Sequence, residues 1–318
     1  MKVTDHIANR KGRTLFTLEL LPPLKGENIE AINQTIDPLV EFCPSFIDVT
    51  YHREEIIYKQ REDGLLERKT IRKRPGTVGI SAAIKYKYNI DVVPHIICGG
   101  FSREETENAL IDLYFLGIDN LLLLRGDNPA GEKTFKPEKD GNAFAIDLVK
   151  QVMDLNHGKY LEEEMINAIP TNFCIGVAGY PEKHVEAPNM ITDLAHLKEK
   201  VDAGANYIVT QMFFDNKKFF SFEKACRDAG ITVPIIPGLK PISVKSQLTA
   251  LPKTFTIDLP EELVIEIEKC TDKEQIRQVG VEWAIHQSKE LINFGVPVLH
   301  FYTMGKSDNI RKIIKEVF

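Results

Sequence analysis

The sequence is organised around eight short apolar runs that recur along nearly its whole length. Between them lie longer stretches in which apolar residues repeat with a helical period. Runs that are continuously apolar, rather than alternating with polar residues, are typical of parallel strands buried on both faces. The runs predict strands over 14–20, 46–50, 92–97, 120–124, 173–178, 207–211, 233–237 and 298–302.

The stretches between these runs carry helix-boundary signals. Ser102 is followed three residues later by Glu105, which is a capping box, and that stretch closes at Gly117. Eight strand–helix units predict an α/β fold of the (β/α)₈ barrel type, for which about 250 residues is typical. An open, doubly wound sheet is the alternative, but no GxGxxG dinucleotide fingerprint follows any predicted strand.

The 318 residues are assigned to a single barrel domain, 1–318, because no linker rich in Pro, Gly or Ser divides them. The stretch 260–295 is too long for one helix and predicts extra helices before the last strand. The densely charged stretch 52–74 predicts a loop or a helical excursion over the barrel, and 157–171 predicts a second insertion.

Composition excludes several classes of protein. Apolar residues make up 43% and charged residues 27%, as in an ordinary globular enzyme, and the pI near 5.8 argues against a nucleic-acid binder. No apolar run approaches the roughly 18 residues of a membrane helix, and no signal peptide is visible, so a cytoplasmic location is expected. Five cysteines without CxxC and eight histidines without HExxH predict reduced thiols and no metal site.

Polar residues interrupt or follow the apolar runs at the end where barrel enzymes place their chemistry. Their shared placement at one rim is the signal, because scattered polar residues of a core would not favour one end. These residues are Glu19, Thr50, His95, Arg125, Asp127, Tyr180, His184, Gln211, His300 and Tyr302.

Glu19 is the sharpest of these candidates. It stands between Leu18 and Leu20, and an apolar setting disfavours a carboxylate anion, which suits a general acid at neutral pH. The alternative is a solvent-facing or Arg-paired strand residue. For the turn that holds Arg125 and Asp127, the alternative is an Asx turn with a surface ion pair, and for His95 it is a satisfied core histidine.

A helix face in the stretch 189–206 is a further candidate. Asp193, His196, Leu197 and Lys200 fall at i, i+3, i+4 and i+7 and so share one side of the helix. A solvated face is the simpler interpretation. If a phosphate-bearing cofactor lies along it, the lysine is a charge for phosphate and the aspartate an acceptor for ribose hydroxyls.

Taken together, eight motifs resemble the 5,10-methylenetetrahydrofolate reductase family, in order and over nearly the whole chain. The motifs are LELLPP (18–23), DVTY (48–51), PHIIC (94–98), LRGDNP (124–129), GYPEKH (179–184), KVDAGANYIVTQMFFD (200–215), IIPGLKPIS (235–243) and HFYTM (300–304). The resemblance implies a (β/α)₈ flavoprotein with non-covalent FAD. It implies ping-pong transfer of hydride from NADH or NADPH to methylenetetrahydrofolate, giving 5-methyltetrahydrofolate for one-carbon metabolism and methionine synthesis.

The resemblance also implies roles for individual residues. Glu19 matches the general acid that opens the five-membered folate ring, and Asp127 a carboxylate near flavin and pterin. Gln211 and Tyr302 fall on the substrate side, with Gln211 contacting folate or nicotinamide in turn. The matching FAD positions are Thr50, His95, Leu124, Arg125, Asp127, Ala178, Tyr180, His184, Asp193 and Lys200.

Some positions depart from the family pattern. Leu20 and Leu21 stand where aromatic residues are common, and Leu251 falls near where an aromatic residue often stacks on nicotinamide, so the sequence leaves NADH and NADPH both open. The chain ends just after the last barrel helix, so no regulatory domain is expected. A homo-oligomer is left open. The alternative enzyme is a folate-dependent methyltransferase-type barrel without FAD.

Overall fold

The computed structural model describes residues 1–128, 134–162, 164–165 and 167–318. The first half of the chain contains α1 Val3–Ala8, β1 Leu15–Leu20, α2 Glu30–Val40, β2 Phe46–Val49, β3 Glu55–Gln60, β4 Leu66–Ile71, α3 Thr77–Tyr88, β5 Asp91–Ile97, α4 Arg103–Phe115, β6 Asn120–Leu124 and α5 Ala145–Asn156. The second half contains β7 Cys174–Gly179, α6 Met190–Asp202, β8 Tyr207–Thr210, α7 Asn216–Asp228, β9 Ile235–Ile236, β10 Gly238–Leu239, α8 Gln247–Phe255, α9 Glu261–Lys269, α10 Lys273–Phe294, β11 Val298–Tyr302 and α11 Asp308–Val317.

Nine parallel strand segments form the barrel, in the order β10-β11-β1-β2-β5-β6-β7-β8-β9. The segments β9 and β10 flank Pro237, and they pair with β8 and β11 respectively, so this one stretch closes the sheet. Pro237 has no N–H to donate, but its carbonyl accepts a bond of 3.0 Å from the His300 N–H. The predicted (β/α)₈ fold is confirmed, and each predicted strand lies within two residues of an observed one.

Helix boundaries follow the local chemistry that the sequence predicted. The Ser102 hydroxyl accepts the Glu105 N–H at 3.2 Å, and the Glu105 carboxylate accepts the Ser102 N–H at 2.8 Å. Gly117 then takes a φ of +63° just after α4. The extra helices expected before the last strand are present as α9 and α10. Among the described residues no helix is long and apolar enough to cross a membrane.

The charged stretch 52–74 is an antiparallel hairpin of β3 and β4, so the prediction of a loop or helical excursion was wrong. The Arg61 N–H donates to the Leu65 carbonyl at 2.8 Å, and Gly64 takes a φ of +82° in the connection between the strands. Nearly every residue of the hairpin is exposed on both faces, so no apolar alternation marked it. The Asp63-Gly64 dipeptide was the available signal.

Two apolar layers hold the barrel together. The larger layer lies between the strands and the surrounding helices and includes Leu18 and Leu20. The second layer fills the lower barrel interior and includes Val3 of the short first helix, which is 0% exposed. The Val3 N–H donates to the Asn120 side chain at 2.8 Å, so α1 is fixed across the bottom of the barrel.

Candidate active site

Glu19 faces the upper interior of the barrel because side chains along a strand alternate between its two faces. Its neighbours Leu18 and Leu20 pack outward against helices, which means that the leucines do not surround the carboxyl group. The Glu19 carboxylate instead lies 3.8 Å from His95 Nε2 and 4.0 Å from His300 Nε2, with its side chain 16% exposed. The expected apolar setting was therefore wrong, although the position at the barrel mouth is as predicted.

A buried pair lies directly beneath Glu19. Asp48 Oδ1 is 3.3 Å from His300 Nδ1, and that nitrogen also contacts the Thr17 hydroxyl at 2.8 Å. Burial raises the pKa of Asp48 to about 7, although His300 opposes this shift. Burial lowers the pKa of His300, but the carboxylates of Asp48 and Glu19 outweigh it, so the pKa lies above the ordinary value. Asp48 therefore titrates near neutral pH, and His300 binds a proton more readily than an ordinary histidine.

His95 contacts Glu19 from the other side and differs from His300 in charge. Burial lowers the pKa of His95 to about 4, with Glu19 opposing the shift. The imidazole is therefore neutral at pH 7. Its Nε2 is buried and has no hydrogen-bond partner within the described part of the chain. Glu19 thus lies between one neutral imidazole and one that gains a proton readily.

Tyr302 and Lys240 complete the wall around Glu19. The Tyr302 hydroxyl donates to the Thr210 carbonyl at 2.7 Å, and the ring meets His300 edge-on with centroids 5.0 Å apart. Gly238 makes room for it, since a Cβ there would lie 2.6 Å from the tyrosine ring. Burial raises the pKa of Tyr302 well above 10 and lowers that of Lys240.

The turn after β6 brings Arg125 and Asp127 to the same rim. The Arg125 guanidinium donates two hydrogen bonds, of 2.5 and 2.8 Å, to the Glu186 carboxylate and lies 5.0 Å from the Phe135 ring centroid. Asp127 is exposed. Burial and Arg74 lower the pKa of His52, while Asp127 and Glu19 oppose this, so both carboxylates act on one histidine. Residues 129–131 of the predicted turn lie outside the described residues.

The β7–α6 side of the rim is held by polar contacts between the strand and the helix. Lys200 Nζ donates to the Ala178 carbonyl at 2.9 Å, and the His184 N–H donates to the Asp193 carboxylate at 2.9 Å. The Tyr180 and His184 rings pack edge-on, 4.7 Å apart. Burial lowers the pKa of Lys200 to about 8, with Asp193 opposing the shift.

The predicted helix face is therefore only partly as expected. Leu197 is buried, Lys200 contacts β7 itself and Asp193 contacts the segment just after β7. These three residues therefore do not form a solvated face. His196 is exposed.

The remaining predicted residues end strands at the same rim. The Thr50 hydroxyl donates to the Leu20 carbonyl at 3.3 Å, and the Gln211 side-chain carbonyl accepts the Met212 N–H at 3.0 Å. Leu124 is the last residue of β6. Leu251 is 5% exposed and packs in the apolar cluster of α8–α10.

The sequence does not predict two members of this site, Asp48 and Lys240, which stand out only as parts of the motifs DVTY and IIPGLKPIS. It places a third member, His300, at the rim but predicts no role for it. A charged residue inside the apolar run FIDVT was the signal for Asp48, because it has to face the barrel interior or the helices.

A cavity adjoins this cluster at His95 but does not coincide with it. It measures about 420 Å³ and lies between β5 and the start of α3, beneath the base of the hairpin. Tyr51, Arg72 and Phe101 line it, and His95 is shared with the site around Glu19. The chemistry at the mouth is therefore marked by its charged groups rather than by enclosed volume.

A parallel barrel with ionisable groups gathered at the carboxyl ends of its strands defines a (β/α)₈ barrel of the enzyme type. The family model described as methylenetetrahydrofolate reductase matches residues 2–317, and the chain belongs to that family. It is 31% identical over 307 residues to the 5,10-methylenetetrahydrofolate reductase of Salmonella typhimurium, covering 96% of this chain and 91% of the relative.

Relatives from other kingdoms are longer. The chain is 32% identical over 317 residues to methylenetetrahydrofolate reductase (NADH) 1 of Arabidopsis thaliana, covering 96% of this chain and 49% of the relative. The chain thus spans about half the length of the plant relative. Among solved structures, an uncharacterized protein from Clostridium thermocellum that binds two copies of 5-methyl-5,6,7,8-tetrahydrofolic acid has a TM-score of 0.57 at 15% identity, covering 99% of this chain and 97% of that one. That likeness shows the fold.

Proposed function

We propose that this protein reduces 5,10-methylenetetrahydrofolate to 5-methyltetrahydrofolate, with NADH or NADPH as hydride donor and bound FAD as cofactor. The product would serve one-carbon metabolism and methionine synthesis. Membership of the family supports the reaction, and relatives are named for each donor, NADH in Arabidopsis thaliana and NADPH in Caenorhabditis elegans. The observation that carries the proposal is the Glu19 carboxyl group between two histidines at the barrel mouth.

The residues at the rim fit a flavin dinucleotide. His95 offers a buried ring nitrogen that lacks a partner among the described residues, as expected of a group that awaits a ligand. Lys200 would place its charge near the pyrophosphate, and Asp193 would accept a ribose hydroxyl. Thr50, Leu124, Arg125, Asp127, Ala178, Tyr180 and His184 would contribute the remaining contacts. When bound, FAD supplies the carriage of hydride between nicotinamide and folate.

Glu19 would supply the proton that the reaction consumes. It donates this proton to a nitrogen of the five-membered folate ring, and the bond between that nitrogen and the methylene carbon breaks. The methylene carbon is then part of a cationic iminium group on the substrate and accepts a hydride to become a methyl group. Overall, one hydride from the nicotinamide and one proton through Glu19 convert the methylene bridge to methyl.

Asp127, Tyr302 and Gln211 would assist this step. Asp127 would steady the cationic folate with its negative charge. Tyr302 has its hydroxyl bonded to the Thr210 carbonyl and so would present a fixed ring edge to the substrate. Gln211 would orient folate or nicotinamide, whichever is bound.

The visible spectrum tests this proposal. Purified protein should be yellow, bleach on anaerobic addition of NADH or NADPH, and regain its colour with methylenetetrahydrofolate. Heat or acid should release free FAD. A folded, colourless protein that cannot be reconstituted with FAD would overturn the proposal and favour a folate-dependent methyltransferase-type barrel.

A further inference from the structure

The hairpin β3–β4 has no packing partner of its own among the described residues. Its strands form a separate two-stranded sheet, and such a hairpin is marginally stable in water by itself. It nevertheless exposes large apolar side chains, with Tyr58 at 66% and Leu66 at 68% exposure. Its base is tied to the barrel mouth, where the Lys73 carbonyl accepts the Lys25 N–H at 2.7 Å. These features leave a surface that is available to another chain.

One edge of β3 is free to pair with such a chain. The bond from the Arg61 N–H to the Leu65 carbonyl shows that the backbone of Arg61 faces β4. Because backbone groups alternate along an antiparallel strand, Ile57 faces β4 as well. Ile56 and Tyr58 therefore present their N–H and C=O groups to the open edge.

The side chains of β3 are self-complementary about its centre. We propose that β3 pairs antiparallel with β3 of a second copy of this chain, with a two-fold axis at Ile57. This register places Glu55 opposite Lys59 of the second copy, twice by symmetry. It also places Ile56 opposite Tyr58 of the second copy, and such aromatic and β-branched pairs stabilise a sheet. The product is a four-stranded sheet that joins two barrels at their mouths.

Other registers of β3 are less favourable. In an antiparallel pair, two opposite residues either both point their backbone N–H and C=O groups at the partner strand or both point them away. A two-fold axis therefore passes through a residue and not between two residues. An axis at Glu55 or Lys59 brings two like charges together. An axis at Tyr58 leaves Lys59 opposite Ile57 of the second copy, and an axis at Ile56 leaves Glu55 opposite Ile57.

The edge of β4 does not offer the same symmetry. The three central residues of β4 are Glu67, Arg68 and Lys69, and an axis on any of them sets two like charges face to face. Like charges directly opposite each other are destabilising. The open edge of β3 is therefore the one that fits a second copy.

A charge exchange on β3 tests the interface. Glu55→Lys and Lys59→Glu each create two repulsive pairs across the axis, and each should weaken the dimer at least tenfold in light scattering coupled to size-exclusion chromatography. The double variant restores both pairs between copies and should return the dimerisation constant close to that of the wild type.

The double variant also separates an interface from hairpin stability. Within one chain, Glu55 pairs with Lys73 and Lys59 lies opposite Glu67, so the exchange damages both contacts inside the hairpin. If oligomerisation failed because the hairpin melts, the double variant would be worse than either single one. That result, or a wild-type protein that is monomeric throughout, would overturn the proposal.

Disulfide trapping gives an independent measurement of the register. Residues at the axis form a non-hydrogen-bonded pair, with Cα atoms about 4.5 Å apart, which is within the range for a disulfide. In a Cys43→Ser background, which removes an exposed thiol, Ile57→Cys should form a covalent dimer on mild oxidation. Lys69→Cys on β4 is the matched control and should stay monomeric under reducing-agent-free denaturing electrophoresis. Equal trapping at both positions would contradict the proposed edge.

Discussion

The lower and upper halves of the barrel interior are built from the same strands and differ in almost every other property. The lower half is filled by apolar side chains such as Phe46 and Val298, and it is covered by α1. The upper half gathers Glu19, Asp48 and His300 within a few ångströms of one another. The lower half holds the strands in register, so that the upper half can keep groups that would not remain together in water.

The two halves also differ in how their polar atoms are satisfied. In the lower half the Tyr207 hydroxyl donates to the Leu121 carbonyl at 3.0 Å. In the upper half both Asp48 oxygens and His300 Nε2 are buried without hydrogen-bond partners among the described residues. Each such group costs about 1–3 kcal/mol, so the mouth is where stability is given up for reactivity.

The largest effect should come from Glu19→Gln, which removes the proton donor and keeps its shape. General acids contribute about 10²–10⁴-fold, so consumption of methylenetetrahydrofolate by the reduced enzyme should slow by at least that factor. Consumption of NADH by the oxidised enzyme needs no proton at folate and should change by less than about tenfold. Stopped-flow absorbance follows each phase. Glu27→Gln, at an exposed carboxylate, is the control, and equal loss in both phases would assign Glu19 to positioning.

The lower half should respond to Gly176→Ala with a loss of stability. A Cβ at Gly176 would lie 2.3 Å from the Tyr207 ring, so the strand or the ring has to move. Overpacking of this kind costs about 3 kcal/mol of unfolding free energy, measured by urea denaturation. Gly79→Ala in α3 meets no atom within 4 Å and should not destabilise the fold. The activity per folded molecule should stay close to that of the wild type. A loss of activity without a loss of stability would show that the lower half also shapes the active site.

Lys200→Met should weaken retention of FAD rather than stability. One charge-assisted contact is worth about 1.5–3 kcal/mol, or roughly ten- to hundredfold in the dissociation constant measured by flavin fluorescence. Because the lysine has a pKa lowered to about 8, the wild type should lose affinity as pH rises from 7 to 9, and the variant should not. Lys198→Met, on the same helix and paired with Asp202, is the control. If the affinity for FAD is unchanged in Lys200→Met, Lys200 has a structural role and does not bind FAD.

A further effect is a pH dependence of stability at Asp48. Its pKa is raised in the folded state, so the folded protein binds the proton more tightly, and this contribution to stability is lost as pH rises from about 4 to about 7. Asp48→Asn removes that loss, and it also lowers the pKa of His300. Between pH 5 and pH 8, the unfolding free energy of the variant should therefore rise relative to that of the wild type, by at most about 1.4 kcal/mol per pH unit. Asp112→Asn, at an exposed carboxylate, is the control and should show no such rise. Parallel curves of unfolding free energy against pH for the wild type and Asp48→Asn would contradict the role of the buried pair.

The barrel could be predicted from sequence because its strands are buried on both sides. Runs such as Asn120–Leu124 leave few alternatives to a parallel strand, and the capping box at Ser102 fixes where α4 begins. The polar residues at strand ends could be placed at one rim for the same reason, since parallel strands all end on the same side.

The remainder depended on contacts between distant segments. The setting of Glu19 is made by His95 and His300, which lie on other strands and are invisible in its local sequence. The hairpin escaped prediction because β-strands exposed on both faces show no apolar period. Its pairing could be read from Asp63-Gly64, but its free edge could be recognised only once the partner strand was known.

In the described part of the chain, the first helix closes the lower end of the barrel. Its Val3 is embedded among the lower side chains, and Asn120 binds the backbone of both Met1 and Val3, which closes the floor. Glu19 therefore lies toward the opposite, open end of the barrel, where the strands end. The closed floor leaves the mouth as the face at which the proposed reactants would arrive and depart.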